Sequence, residues 1–352
     1  MNKVIENLTL GIAAAMIFWI LPAAVFTQDK WSPTPKPEPT FAPPKPERPA
    51  RSAMEPPTPG RYFGGDTSEK SIIVDSGVNL SLCVTQGTVK VNGWNRSEVR
   101  VFVQDGSKFG FKVQLKSPKT GAPALMMVTG IETKNKYASP TLCLWGGEIE
   151  IDVPVNATVT IKGQEITTKI DTVKRVEVKT VGGDISLRNI ANGITAYAGQ
   201  GDITVDESEG AMILNSTTGN ILVFEAGPSE IGDVFKANTN SGEISLQRLG
   251  YRQMEVTSIS GSVAFTGEVL SGGSYSMSTS KGSIRLAIPQ TTSCVVTASY
   301  GYGSFNSDIP IKILTENKSE GPIKSIVGEL GKGGDATIKL STNNGSIGIK
   351  KQ

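Results

Sequence analysis

Histidine is absent from all 352 residues. That removes the commonest general base and the commonest zinc ligand, so Ser–His–Asp, Cys–His and histidine–metal chemistries are excluded. An excess of one charge is also missing. The 35 Lys and Arg oppose 33 Asp and Glu for a formal net charge of +2, and the basic residues are spread rather than clustered. Nucleic-acid recognition leaves a clustered basic footprint, so neither nucleic acid nor a membrane surface is an expected partner. Cysteine is scarce, with Cys83, Cys143 and Cys294 only. No cofactor motif stands out, and no paired acid–base constellation, so the chain reads as non-enzymatic.

What the chain has first is an apolar start. No charge falls between Asn7 and Gln28, and Leu8–Thr27 is apolar (LTLGIAAAMIFWILPAAVFT). Twenty such residues span a bilayer as a helix. Val25-Phe26-Thr27 and Pro22-Ala23-Ala24 are both poor cleavage sites, which favours an uncleaved signal-anchor in the inner membrane over a cleaved signal peptide. In either case the remainder is exported, to the periplasmic or outer side. Residues 1–28 are this segment. Residues 29–62 form a proline-rich linker, in which Asp29–Gly60 holds 11 of the 20 prolines. Proline fixes φ and lacks an N–H, so the linker is an extended stalk or tether of up to about 100 Å.

Glycine carries the main signal. Gly183, Gly201, Gly219, Gly242, Gly261, Gly282, Gly303 and Gly345 recur at spacings of 18, 18, 23, 19, 21, 21 and 42. Seven residues before each stand Val176, Ile194, Met212, Phe235, Met254, Tyr275, Val296 and Ile338; five before, Val178, Ala196, Leu214, Ala237, Val256, Met277, Ala298 and Leu340. The positions two and four after are apolar in every unit except at Ser307. Alternation of this kind marks strands with one buried face, and the glycine between them marks a corner. Three residues before it stands an inward Ser or Thr in six units: Thr180, Ser216, Thr239, Ser258, Thr279 and Thr342. One unit buries too little apolar surface to be stable alone, whereas stacked units bury a continuous core. The expected fold is all-β, a parallel β-helix or solenoid with coils of about 20 residues, over residues 63–352. The regular repeats occupy 176–349. Residues 71–155 are a looser N-terminal cap and first turns, with strands at Val99–Val103 and Phe111–Leu115 and a polar loop from Ser117 to about Ser139. Cys83 and Cys143 each precede a glycine by four residues, so these repeat-equivalent positions are candidates for a disulfide, with Cys294 left free.

The segment Gly87-Thr88-Val89-Lys90-Val91-Asn92-Gly93-Trp94, the repeats of the type Thr180-Val181-Gly182-Gly183-Asp184-Ile185-Ser186-Leu187, and the close Gly331-Lys332-Gly333-Gly334-Asp335-Ala336 followed by Leu340-Ser341-Thr342-Asn343-Asn344-Gly345-Ser346-Ile347 resemble the bacterial "putative adhesin" family of β-strand-repeat proteins. The resemblance covers residues 71–350. It implies a right-handed β-helix-like fold, and it supplies no catalytic or binding residues.

Three functions follow. The first is an adhesin-like or scaffolding module for a glycan or protein of the cell envelope. Its face is the outward column four residues before each glycine: Lys179, Tyr197, Asn215, Asn238, Thr257, Ser278, Ser299 and Ser341. The plainer reading of that column is ordinary solvent-facing strand. The second is a polysaccharide-active enzyme using calcium, for which Asp184, Asp202, Asn220 and Glu243, each just after a glycine, are candidate ligands. The plainer reading there is turn chemistry. The third is an envelope sensor acting through a membrane partner of Leu8–Thr27. The final strand, Ser346–Ile349, is expected as an uncovered edge open to another chain.

Overall fold

Among the described residues the alternation of apolar and polar residues produces 25 strands and one core. The computed structural model describes residues 68–114, 125–130, 143–229, 233–317 and 323–352. The apolar segment Leu8–Thr27 and the proline-rich linker lie outside them. The described residues all belong to one compact unit.

The N-terminal part of the unit comprises β1 (Ser68–Ile73), β2 (Asn79–Trp94), β3 (Glu98–Gln104), β4 (Phe109–Gln114), β5 (Leu125–Gly130), β6 (Leu144–Pro154) and β7 (Thr158–Val173). Regular coils follow, each of two strands joined at a glycine corner. They are β8 (Arg175–Gly182) with β9 (Ile185–Ile190), β10 (Ile194–Gln200) with β11 (Ile203–Glu209), and β12 (Met212–Thr218) with β13 (Ile221–Gly227). Next come β14 (Val234–Ser241) with β15 (Ile244–Leu249), β16 (Gln253–Ser260) with β17 (Val263–Thr266), and β18 (Ser274–Lys281) with β19 (Ile284–Ile288). The C-terminal part holds β20 (Cys294–Tyr302), β21 (Phe305–Ser307), β22 (Ile311–Asn317), β23 (Lys324–Leu330), β24 (Thr337–Asn344) and β25 (Ile347–Lys351).

Coils stack in parallel and build two sheets, one from the strands before the corners and one from those after. The long strands β2 and β7 run through both. In the first sheet the register joins Val176, Ile194, Met212, Phe235, Met254, Tyr275, Ile338 and Val296 as one inward row. Their exposure is 3% or less. The residues counted at equal distance from each glycine are therefore physical neighbours.

The corner explains the repeated Ser/Thr-x-x-Gly. A Cβ built on Gly242 would lie 2.0 Å from the Gly219 carbonyl oxygen, and one on Gly261 would lie 1.9 Å from that of Gly242. Gly183 lies on the Ile166 carbonyl, and from Gly201 onward each corner glycine thus presses its bare Cα onto the glycine carbonyl of the neighbouring coil, at positive φ. That carbonyl points into the corner and needs a donor. The buried hydroxyl three residues before the next glycine supplies it: Thr239 donates to Gly219 O (3.0 Å), Ser258 to Gly242 O (2.9 Å), Thr279 to Gly261 O (2.8 Å) and Thr342 to Gly282 O (2.9 Å). Glycine and hydroxyl are two halves of one device.

Two expectations are corrected. The polar loop expected over Ser117–Ser139 contains β5, whose Met126 and Val128 are buried; β5 pairs in parallel with β2 and antiparallel with β4. The final strand is not an uncovered edge, because the last coil does not stack last. β24 lies between β18 and β20, and β25 between β19 and β21. Gly345 rests on Gly282, and Gly303 on Gly345. The spacing of 42 is not two coils in series: the residues between form β22 and β23, which add antiparallel strands to the outer side of β20. The opposite end shows the same departure from chain order, with β2 lying between β6 and β7.

Candidate functional site

Period-two alternation sends every second residue of the first sheet outward. In spatial order the column four residues before the glycine runs Lys179, Tyr197, Asn215, Asn238, Thr257, Ser278, Ser341, Ser299. Lys179 Nζ sits 5.4 Å from the Tyr197 ring centroid, and the Tyr197 hydroxyl is 3.3 Å from Thr217 Oγ1. From Asn215 onward the column is uncharged, short and half-buried. Asn238 Nδ2 donates to Asn215 Oδ1 (3.1 Å), and the Thr257 and Ser278 hydroxyls are 3.2 Å apart. These six side chains lie on adjacent strands, so the strip is roughly 24 Å long at ~4.8 Å per strand. Amides and hydroxyls bonded along the strip keep further donor and acceptor capacity directed outward.

The residues after each glycine are committed differently. Asp184 Oδ1 accepts from Asp202 N (2.9 Å), Asp202 Oδ1 from Asn220 N (2.7 Å) and Asn220 Oδ1 from Glu243 N (2.8 Å). The column continues in serine, with Ser262 accepting from Ser283 N, Ser283 from Ser346 N and Ser346 from Ser304 N. A short oxygen-bearing side chain at this corner therefore caps the amide of the coil above. Among the described residues no three His, Cys, Asp or Glu are grouped so as to hold a metal ion.

Charge gathers on the outer face of the second sheet, which sequence reasoning did not single out. Arg100 pairs with Asp152, whose side chain is only 5% exposed, and Asn92 Nδ2 donates to the same carboxylate at 3.2 Å. Burial and the neighbouring Asp152 push the Glu150 carboxyl above its ordinary range. Further along, burial alone would raise the Asp171 carboxyl, but hydrogen bonds from Arg188, Asn189 and Thr172 outweigh it and hold it below the usual value. Burial, Glu207 and Glu225 raise Asp206. The pairs Arg188–Asp171 and Arg248–Glu225 tie successive coils together. The signal available in sequence was the register itself: Asn92, Asp171, Arg188 and Asp206 occupy one row.

Cys83 and Cys143 are joined by a disulfide, with Cα atoms 4.5 Å apart, and link the adjacent strands β2 and β6. Cys294 is free and buried, and burial pushes its thiol up to about 11. No helix of the described residues is long and apolar enough to cross a membrane.

A comparison with curated proteins gives no match. Among solved structures, a "putative cell adhesion protein" from Clostridium sporogenes is similar at 12% identity and a TM-score of 0.27, over 82% of this chain and 100% of that one. The model of the family described as Toastrack DUF4097 matches residues 86–350, about three quarters of the chain. The chain belongs to the Toastrack DUF4097 family.

Proposed function

We propose that this protein is an exported, non-catalytic binding module of the cell envelope, and that it recognises a polar partner surface, a glycan first of all, through the strip Asn215, Asn238, Thr257, Ser278, Ser341 and Ser299. The observation that carries the reading is the contrast between the two outer faces. The first carries an uncharged run of amides and hydroxyls over six adjacent strands, beside which the outward Lys236 and Glu255 pair with each other, while the second is charged along the row Asp171, Arg188 and Asp206. A flat polar surface with spare hydrogen-bonding capacity suits an extended polyhydroxyl ligand, because each strand offers one donor–acceptor group at a fixed spacing.

Export is supported by the Cys83–Cys143 disulfide, since such bonds persist in oxidising compartments. The apolar Leu8–Thr27 anchors the chain, and the proline-rich stalk holds the solenoid away from the membrane. The non-catalytic reading is supported by the absence of histidine and by the use of Asp184, Asp202 and Asn220 as corner caps.

The test is a binding screen of the full-length chain against glycans, peptidoglycan and envelope extract. Saturable binding that is lost in the triple variant N238K/T257K/S278K, with circular dichroism unchanged, is the expected result. Binding that survives the three lysines, or binding to none of these, overturns the proposal.

A further inference from the structure

The slot between β18/β19 and β20/β21 is occupied by β24 and β25, the last coil of the chain. Apart from the exposed Lys350–Asp308 ion pair on its β21 side, what holds this coil is generic to the solenoid. Ile338, Leu340, Ile347 and Ile349 fill the same inward rows as in every other coil. Thr342 donates to the Gly282 carbonyl as its counterparts do, and Gly282 N donates to Asn344 O. No ion pair crosses from β24 or β25 to β18 or β19 among the described residues. These contacts are made by residues of the coil and of the slot, so they are the same whether both belong to one chain or to two.

The connection into the slot is a short glycine-rich crossing. β23 lies on the outer side of β20 and β24 on its inner side, so residues 331–336 pass over the start of β20. Gly331, Gly333 and Gly334 all have positive φ, and the crossing is held at a few points: Lys332 N to Ser293 Oγ at 3.4 Å, Ser271 to the Asp335 carboxylate at 2.9 Å and Val295 N to Ala336 O at 2.9 Å. Six residues reach ~20 Å when extended. At the other end of the solenoid, where β2 is also out of chain order, Cys83–Cys143 fastens the coil covalently. The C-terminal coil has no such fastening, since Cys294 is free.

We propose that the β18–β20 slot is an interaction site for the β24–β25 coil of a second copy of this chain, so that two molecules exchange their last coils about the Gly331–Gly334 hinge. Exchange of an identical element needs no new interface, because the contacts of the closed monomer are reused between chains. In the envelope this would pair two anchored copies and place two polar strips in one assembly.

The native disulfide supplies the test. Cys83 on β2 and Cys143, the residue immediately before β6, are bonded one place ahead of the Val84–Leu144 register pair, and Ser278 and Ser341 are register partners across the slot, likewise four residues before their glycines. The full-length double variant S278C/S341C should close within one chain. Full-length S278C and S341C are then mixed, taken through partial denaturation and back, oxidised, and analysed by non-reducing electrophoresis and peptide mapping. The expected result is a covalent dimer linked between positions 278 and 341, whose fraction rises when the protein concentration is raised tenfold. Closure in the double variant with no interchain 278–341 link in the mixture overturns the proposal. S276C with K339C, also register partners, repeats the test. Should neither double variant close, light scattering of the unmodified chain through the same cycle decides: a monomer at every concentration overturns the exchange.

Discussion

At each end of the solenoid one coil sits out of chain order, and the two ends hold that arrangement by different means. At the N-terminal end β2 lies between β6 and β7, closing a long stretch of chain against itself. A disulfide spanning 60 residues and a buried carboxylate paired with Arg100 secure it. At the C-terminal end β24 and β25 lie between coils that precede them, a closure of similar length from Ser283 to Ser346. Backbone ladders, a hydroxyl, apolar rows and the exposed Lys350–Asp308 pair hold this end, and a glycine-rich turn leads into it. The difference teaches that the same non-sequential stacking can be made permanent or left reversible. Closing a loop of this size costs chain entropy, and only the N-terminal end has a covalent bond that removes most of that cost from folding.

The strongest way to break the comparison is at a corner glycine. Gly345→Ala drives a Cβ to 1.9 Å from the Gly282 carbonyl oxygen at positive φ. It should cost about 4 kcal/mol or more, the range of severe steric and backbone defects, and expel the last coil. Cys294, buried in the neighbouring β20, is a native reporter: its thiol should become reactive in Gly345→Ala and stay protected in Gly87→Ala, which damages the other end. Next in size, replacing Cys83 and Cys143 by Ser should cost about 4 kcal/mol by chain entropy for a loop of this length. Urea titration would show it as an earlier midpoint, and the two ends should then open together.

A smaller effect of opposite sign is expected in β7. Thr168 Oγ1 is fully buried without a hydrogen-bond partner, in a row otherwise filled by Val89 and Ile185. Thr168→Val keeps the shape and removes an unsatisfied hydroxyl, so it should add about 1 kcal/mol and raise the urea midpoint. The smallest effect is electrostatic. The Asp171 carboxyl is held below its ordinary value in the folded chain, so its contribution is present above the unfolded value near 3.8 and is lost as pH falls through the folded one. Asp171→Asn should therefore cost at most about 1 kcal/mol at pH 7 and progressively less as the pH falls below the unfolded value, read as converging thermal midpoints.

The residues that were legible are those fixed by period and corner. Glycine spacing, the inward rows and the outward strip all follow from side-chain alternation, so the sequence alone puts Ile194, Met212 and Phe235 in one row. The order of the coils was not legible, for the same reason. Every coil carries the same columns, so register says which residues can meet and is silent on which coil meets which. Val296 matches Tyr275 as well as Ile338 does, yet Ile338 stands between them. The strand β5 was missed because Leu125-Met126-Met127-Val128 is short and lies in a polar surrounding. For the column Asp184, Asp202, Asn220 the plainer reading, turn chemistry, agrees with the corner hydrogen bonds, but the coil-to-coil partner of each oxygen was not legible, because Asp and Asn suit both turns and cation sites.

The most direct measurement is native-state hydrogen exchange, read by mass spectrometry on the oxidised and the reduced chain. The account predicts that in the oxidised chain the amides of β24 and β25 exchange well before those of β2 and β6, and that reduction brings the two ends to similar rates. Protection of β24 and β25 equal to or greater than that of β2 and β6 in the oxidised chain would contradict it.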